Sequence, residues 1–224
     1  MCGRFTITAT LDELLERYGV HDDTSIPTYR PNYNVAPTQM LPVVINDGNN
    51  NCLELMKWGL IPSWANDPKI AFKTINARAE TVAEKPAFRT SIRRKRCIIP
   101  ACSFYEWRKV GANKQPMRIT LKSEEIFSMA GVYDSWTDQE GKQVNSFSIL
   151  TSEPNELMMD IHDRMPVILK PEHEALWLDR GANEPEMIRH LMVPFLSDQM
   201  KAYPVSTRVG NVRNNDPDLI KEAL

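Results

Sequence analysis

The chain has 224 residues, 42% of them hydrophobic and 25% charged, with a net charge of −2, which suits one large or two small globular domains with ample core. That balance excludes a protein that coats nucleic acid by bulk charge, and no apolar run approaches the roughly 18 residues of a membrane-spanning helix. With no signal-peptide core behind Met1, a cytosolic location with reduced thiols is expected, and no membrane partner.

The chain starts Met1-Cys2-Gly3-Arg4. An initiator Met before a small residue is normally trimmed, which would leave Cys2 carrying a free α-amine beside its thiol. The amine titrates near pH 8 and a free thiol at about 8.5, against about 10.4 for a Lys amine, so both are nucleophiles at neutral pH. With an aldehyde such a 1,2-aminothiol gives an imine, and the thiol closes on it intramolecularly to a thiazolidine. Taken alone, the dipeptide favours a simpler reading, a small residue that begins a buried strand.

Thr10-Leu11-Asp12-Glu13 reads as a capping box. Leu11, Leu14, Leu15 and Tyr18 lie on one face of the helix that follows, and Gly19 ends it. A loop with Pro27 and Pro31 leads to Tyr33-Asn34-Val35-Ala36-Pro37, where the proline stiffens the backbone. Strands are expected over 42–45 and 53–58, joined through Asn46-Asp47-Gly48-Asn49, a hairpin signal. Trp58-Gly59-Leu60-Ile61-Pro62-Ser63-Trp64 suits either a packed corner or a platform for base stacking. Asn76 and Arg78, if extended, share a face and set a neutral hydrogen-bonding group beside a cation.

From Arg89 to Arg96 there are five cations and no anion, leaving −7 elsewhere. This segment is either a solvated surface or a local contact for phosphate. Strands are expected over 97–100, 117–121, 127–133, 146–151, 167–169 and 203–205, with helices over 154–161, 171–178 and 184–192. In Phe104-Tyr105-Glu106-Trp107, alternation puts Phe104 and Glu106 on one face, where burial would raise the Glu106 pKa and suit it to proton transfer. His162 is followed directly by Asp163 and Arg164, as either an acid–base group or a structural histidine. The four cysteines form no C-x-x-C and have no His at zinc spacing. P-loop, Rossmann and G-x-S-x-G motifs are absent, so neither metal nor cofactor is expected. The whole reads as one α+β domain spanning 1–224, a mostly antiparallel sheet or open barrel with peripheral helices and a tail after about 213.

Met-Cys-Gly-Arg-Phe, Tyr33-Asn34-Val35-Ala36-Pro37, Trp58-Gly59-Leu60-Ile61-Pro62, Asn76-Ala77-Arg78-Ala79-Glu80-Thr81, Phe104-Tyr105-Glu106-Trp107, His162-Asp163-Arg164-Met165-Pro166 and Val205-Ser206-Thr207-Arg208-Val209-Gly210-Asn211 together resemble the signatures of the SOS-response-associated peptidase family, also called abasic-site processing proteins. A monomer is expected, and the likeness implies a protein that binds single-stranded DNA at an abasic site and crosslinks to the ring-opened sugar aldehyde through Cys2. It implies that Glu106 orients the amine and shuttles protons, that His162 is the acid–base group at the sugar oxygen, and that Asn76 holds the lesion. Arg4 and Arg78 would bind phosphates, and Asn34 and Pro37 would line the site. Apart from the likeness, Trp64 is read as adding stacking and the basic segment as adding charge. Two alternatives remain: a thiol autopeptidase that exposes Cys2, and a non-catalytic single-strand binder.

Overall fold

The computed structural model describes residues 2–21 and 29–223, so Met1 and Pro27 lie outside the described residues. In chain order the elements are β1 (Phe5–Ile7), α1 (Leu11–Tyr18), β2 (Asn32–Val35), β3 (Met40–Asn46), β4 (Asn51–Trp58), β5 (Asn76–Arg78), α2 (Ser91–Arg94), β6 (Arg96–Ala101), β7 (Ser103–Val110), β8 (Asn113–Leu121), β9 (Phe127–Thr137), β10 (Gln143–Ser152), α3 (Glu156–Met159), β11 (Met165–Pro166), β12 (Ile168–Leu169), α4 (Pro171–Leu178), α5 (Pro185–Ile188) and β13 (Met200–Pro204). They form two sheets. One is open and antiparallel, in the order β13-β8-β7-β1-β2. In the other, β10-β4-β3-β6-β9 closes on itself because β9 also pairs with β10, and β5, β11 and β12 are added at its margins. Among the described residues only the β10–β4 and β10–β5 pairings are parallel. This is the expected α+β domain, and both descriptions of its sheet apply, since one sheet is open and the other is a barrel. Among the described residues no helix is long and apolar enough to cross a membrane.

Local sequence chemistry accounts for the frame. The capping box at Thr10 forms in full, and Gly19 takes a left-handed conformation (φ +61°) to cap α1. The helix buries Leu14 and Tyr18. In the β3–β4 hairpin the Asp47 carboxylate accepts from the Asn49 and Asn50 backbone N–H groups, an Asx-type turn. Trp58, fully buried, meets the Phe5 ring edge-on at 5.1 Å and stacks on Phe147, fastening the open sheet to the barrel.

Several expectations need correction. Residues 32–35 form a strand on β1 rather than a loop, because Asn32–Val35 completes the edge of the open sheet. The helix expected over 184–192 is one turn of α-helix followed by a 3-10 turn, and the one over 154–161 is reduced to Glu156–Met159. The end of the chain does not trail off as a tail. Leu219 is fully buried against Tyr105, Val205 and Val209, and Ala223 donates its N–H to the Pro204 carbonyl.

Candidate active site

Glu106 stands on β7, on the face that Phe104 turns to the core, and is 3% exposed. The register of β1 on β7 pairs Phe5 with Phe104, and the Tyr105 N–H donates to the Arg4 carbonyl at 2.9 Å. One further step along that register brings Gly3 opposite Glu106. Cys2 then lies within reach of the Glu106 charge. Burial pushes the Cys2 thiol far up, the Glu106 carboxylate adds to the shift, and the Arg4 backbone N–H opposes it. Cys2 itself is completely covered, as a strand-starting cysteine would be, and yet it adjoins an ionisable group.

His162 enters from the second sheet, on the loop between α3 and β11. Its Nε2 lies 3.8 Å from Glu106 Oε2 and its Nδ1 lies 2.9 Å from Asp163 Oδ1. Burial lowers the His162 pKa while Asp163 raises it; burial dominates, so the ring is neutral at pH 7. The Arg164 backbone N–H donates to Nδ1 at 3.1 Å. Nδ1 is thus held between the Arg164 N–H and the Asp163 carboxylate, which leaves Nε2 facing Glu106. Burial lifts Glu106 to about 7 and the Asp163 charge adds to this, so its carboxyl is poised to exchange a proton at neutral pH.

The His162 loop is held by a contact that the sequence reading did not single out. Arg164 grips Glu80 with two hydrogen bonds of 2.9 Å each and donates to the Thr151 carbonyl on β10 at 2.5 Å. Glu80 closes the turn after β5, whose Asn76 pairs with Ile149 and Arg78 with Thr151. One fork therefore ties the histidine loop to the strand bearing Asn76 and Arg78. The signal was in the sequence, an acidic residue in one motif and a basic residue in another, but no spacing rule joins residues 84 positions apart. Both polar atoms of the Asn76 amide are buried and without a hydrogen-bond partner, a condition that costs on the order of 1–3 kcal/mol per group and makes the amide complementary to a polar ligand. Arg78 is exposed.

The remaining candidates form a separate group. Arg4 Nη1 donates to Asn34 Oδ1 at 2.7 Å and to the Val209 carbonyl at 2.6 Å, and Nη2 reaches the Gly210 carbonyl. Asn34, 1% exposed, lies within hydrogen-bond distance of the Val209, Asn211 and Asn214 carbonyls through its Nδ2. Pro37 begins a turn in which Thr38 adopts φ +76°, a rare conformation for a β-branched residue. The turn is fastened to the end of β4 by Thr38 N–H to the Trp58 carbonyl and Trp58 N–H to the Gln39 carbonyl. The Trp64 loop is a packed corner with one exposed ring. Ile61, Ala65 and Ala71 pack beneath it while Trp64 is 58% exposed. Of the basic segment one cation turns inward and two are held in ion pairs. Arg96 is buried and donates to the carbonyls of Trp177, Ile92 and Asp179, Lys95 pairs with Asp134, and Arg93 pairs with Glu184, leaving Arg89 and Arg94 facing solvent.

Relatives are found at high similarity. The abasic site processing protein YoqW of Bacillus subtilis is 49% identical over 222 residues, 99% of each chain. The abasic site processing protein HMCES of Xenopus tropicalis is 32% identical over 97% of this chain and 77% of its own. A crystal structure of a protein from Bacteroides thetaiotaomicron superposes with a TM-score of 0.91 at 35% identity, covering both chains completely. The family model described as SOS response associated peptidase (SRAP) matches residues 1–212, and this chain belongs to that family.

Proposed function

We propose that the protein recognises abasic sites in single-stranded DNA and, once Met1 is removed, links itself to the lesion through Cys2. What supports this most directly is the Glu106–His162 pair, 3.8 Å apart beside Cys2, with one member titrating near 7 and the other neutral. The names of the relatives, abasic site processing proteins, point to the same lesion.

The chemistry follows from these groups. The abasic sugar is a hemiacetal. Opening it breaks the C1′–O4′ bond and moves one proton from the C1′ hydroxyl to O4′, with His162 taking that proton up and then delivering it, so that the imidazole ring is neutral before and after. The Glu106 carboxylate accepts a proton from the Cys2 ammonium, freeing the amine to add to C1′. Loss of water gives the imine. The thiol then adds across the C=N bond, sulfur to carbon and proton to nitrogen, and closes the thiazolidine. The thiol needs no prior ionisation to a free thiolate, which burial disfavours, because its proton passes to the imine nitrogen as the ring closes. Asn76 holds the sugar hydroxyls, Arg78 takes a flanking phosphate, and Trp64 offers a face to a neighbouring base. Arg4 and Asn34 shape the wall behind Pro37, and their hydrogen bonds to the 209–214 carbonyls set its position.

The test pairs intact mass with a crosslinking assay. Protein lacking Met1, incubated with a single-stranded oligonucleotide carrying one abasic site, should gain the oligonucleotide's mass less one water. Cys2→Ala should lose the heat-stable adduct while retaining noncovalent binding. A wild-type protein with processed Cys2 that binds the oligonucleotide and forms no adduct would refute the covalent reading.

A further inference from the structure

Beyond the residues of the reacting centre, the β7–β8 hairpin carries a basic groove that neither the fold's core nor the proposed chemistry uses. Its volume is about 630 Å³, and its polar lining consists of Arg108, Asn113, Lys114, Gln115 and Thr207, with no carboxylate among the lining residues. The hairpin register sets Arg108 opposite Gln115 and Glu106 opposite Met117. Arg108 thus extends from the same face of β7 as Glu106, two residues or about 7 Å further along. Lys114 sits near enough for its charge to act on His162, whose pKa burial lowers and this lysine lowers further.

Both cations are uncommitted. Among the described residues neither Arg108 nor Lys114 has an ion pair, whereas Lys95, Arg93, Arg164 and Arg208 each hold a carboxylate. The Arg108 Nε is buried with no acceptor. Gln115, in contrast, is fixed, donating to the Pro116 and Val205 carbonyls at 2.9 Å each, so that one wall of the groove is rigid. In a chain of net charge −2, two free cations facing a carboxylate-free groove that opens beside the reacting centre suit a linear polyanion more than a compact ligand.

We propose that this groove is the track for the phosphate backbone of the DNA strand on one side of the lesion, with Arg108 and Lys114 each neutralising a phosphate. The proposal rests on the reading of the protein as a single-strand DNA binder and adds where the strand leaves the reacting centre. Arg108 offers a planar fork to a phosphate and Lys114 a point charge, so the first fixes orientation and the second adds attraction alone.

The test uses an oligonucleotide carrying a tetrahydrofuran abasic analogue, which has no aldehyde and binds without reacting. Wild type, Arg108→Gln, Lys114→Gln and the double variant are compared with Lys122→Gln, a charge control at the opposite end of β8. Each groove substitution should lower the slope of log affinity against log salt by about 0.7, the single-strand value per phosphate. The double variant should bind several-fold to tens of fold more weakly at low salt. Oligonucleotides extended on only one side of the lesion should show the loss for one extension and not the other. A double variant whose slope and affinity match Lys122→Gln would overturn the proposal, as would equal losses for both extensions. A wild-type protein that binds the analogue with the full slope and gives no adduct with authentic abasic DNA would instead count against the covalent reading and leave the groove standing.

Discussion

Glu106 shows how burial can prepare a carboxyl for chemistry and charge the fold for it. Held at about 7 by desolvation, it is half-protonated where a surface glutamate would be fully ionised. The sign of the linkage is set by that raised value. The folded state holds the proton more tightly than the unfolded state, so the group opposes folding as pH rises above about 4.5, and the penalty is complete above about 7. At about 1.4 kcal/mol per unit the penalty is at most about 3.5 kcal/mol. Glu106→Gln should therefore raise the melting temperature at pH 8.5 and change it little at pH 5, a difference that two thermal melts can measure. In the proposed chemistry the same substitution removes the base for the Cys2 ammonium. The wild-type rate of adduct formation should rise through an inflection near pH 7, and the variant should be slower and lack that limb. A variant that kept the limb would assign it to another group. Stability gained and rate lost by one substitution is the pattern expected of a buried acid–base residue.

At the scale of elements, two devices hold the site, and they differ in how far the sequence discloses them. The capping box of α1, the Asx turn of the β3–β4 hairpin and the alternation along β7 rest on residues within a few positions of one another, and all are readable directly from the chain. The clasp between the chain's beginning and end is not. Arg4 and Asn34 converge on carbonyls 175 to 206 positions away, and backbone acceptors carry no sequence signature. For the same reason the inward turn of Arg96 was hidden: its partners are carbonyls of residues 92, 177 and 179, so composition shows a cation and not what occupies it. The clasp bears on Cys2 because Arg4 is two residues away on the same strand edge. Asn34→Ala should leave the Arg4 guanidinium and the facing carbonyls short of partners, and should destabilise the fold by about 2–4 kcal/mol. Hydrogen exchange should show the loss concentrated in the 206–215 segment and in β1. If exchange in those two segments stayed at wild-type rates, the clasp would not be what joins them.

Across the whole molecule the site lies where two sheets meet. The open sheet supplies Cys2 and Glu106, and β10 of the barrel carries β5 with Asn76 and Arg78 along one edge and, through β11, the approach to His162. The geometry of the proposed reacting groups therefore depends on barrel closure, and closure depends on the β9–β10 pairing at Gly131, which lies opposite Cys97 on β6 and Ile149 on β10. A Cβ at Gly131 would come within 2.3 Å of Ile99 Cδ1 and within 3.0 Å of both Cys97 Sγ and the Ser148 backbone oxygen. The isoleucine tip can turn aside, but the backbone oxygen cannot move without shifting β10. Gly131→Ala should accordingly cost about 1–3 kcal/mol, as overpacking of a closed core does, and lower the melting temperature by about 3–10 °C. Ile149 pairs with Asn76 as well as with Gly131. The displacement should thus pass to Asn76, and adduct formation should fall even at temperatures where the variant is fully folded. The Cβ of Gly141→Ala, on the exposed β9–β10 turn, would meet open space, although the backbone there is left-handed at φ +84°. That variant should lose stability through backbone strain alone and keep its rate when folded. If Gly131→Ala also kept the full rate below its melting transition, barrel closure would support the fold without setting the site.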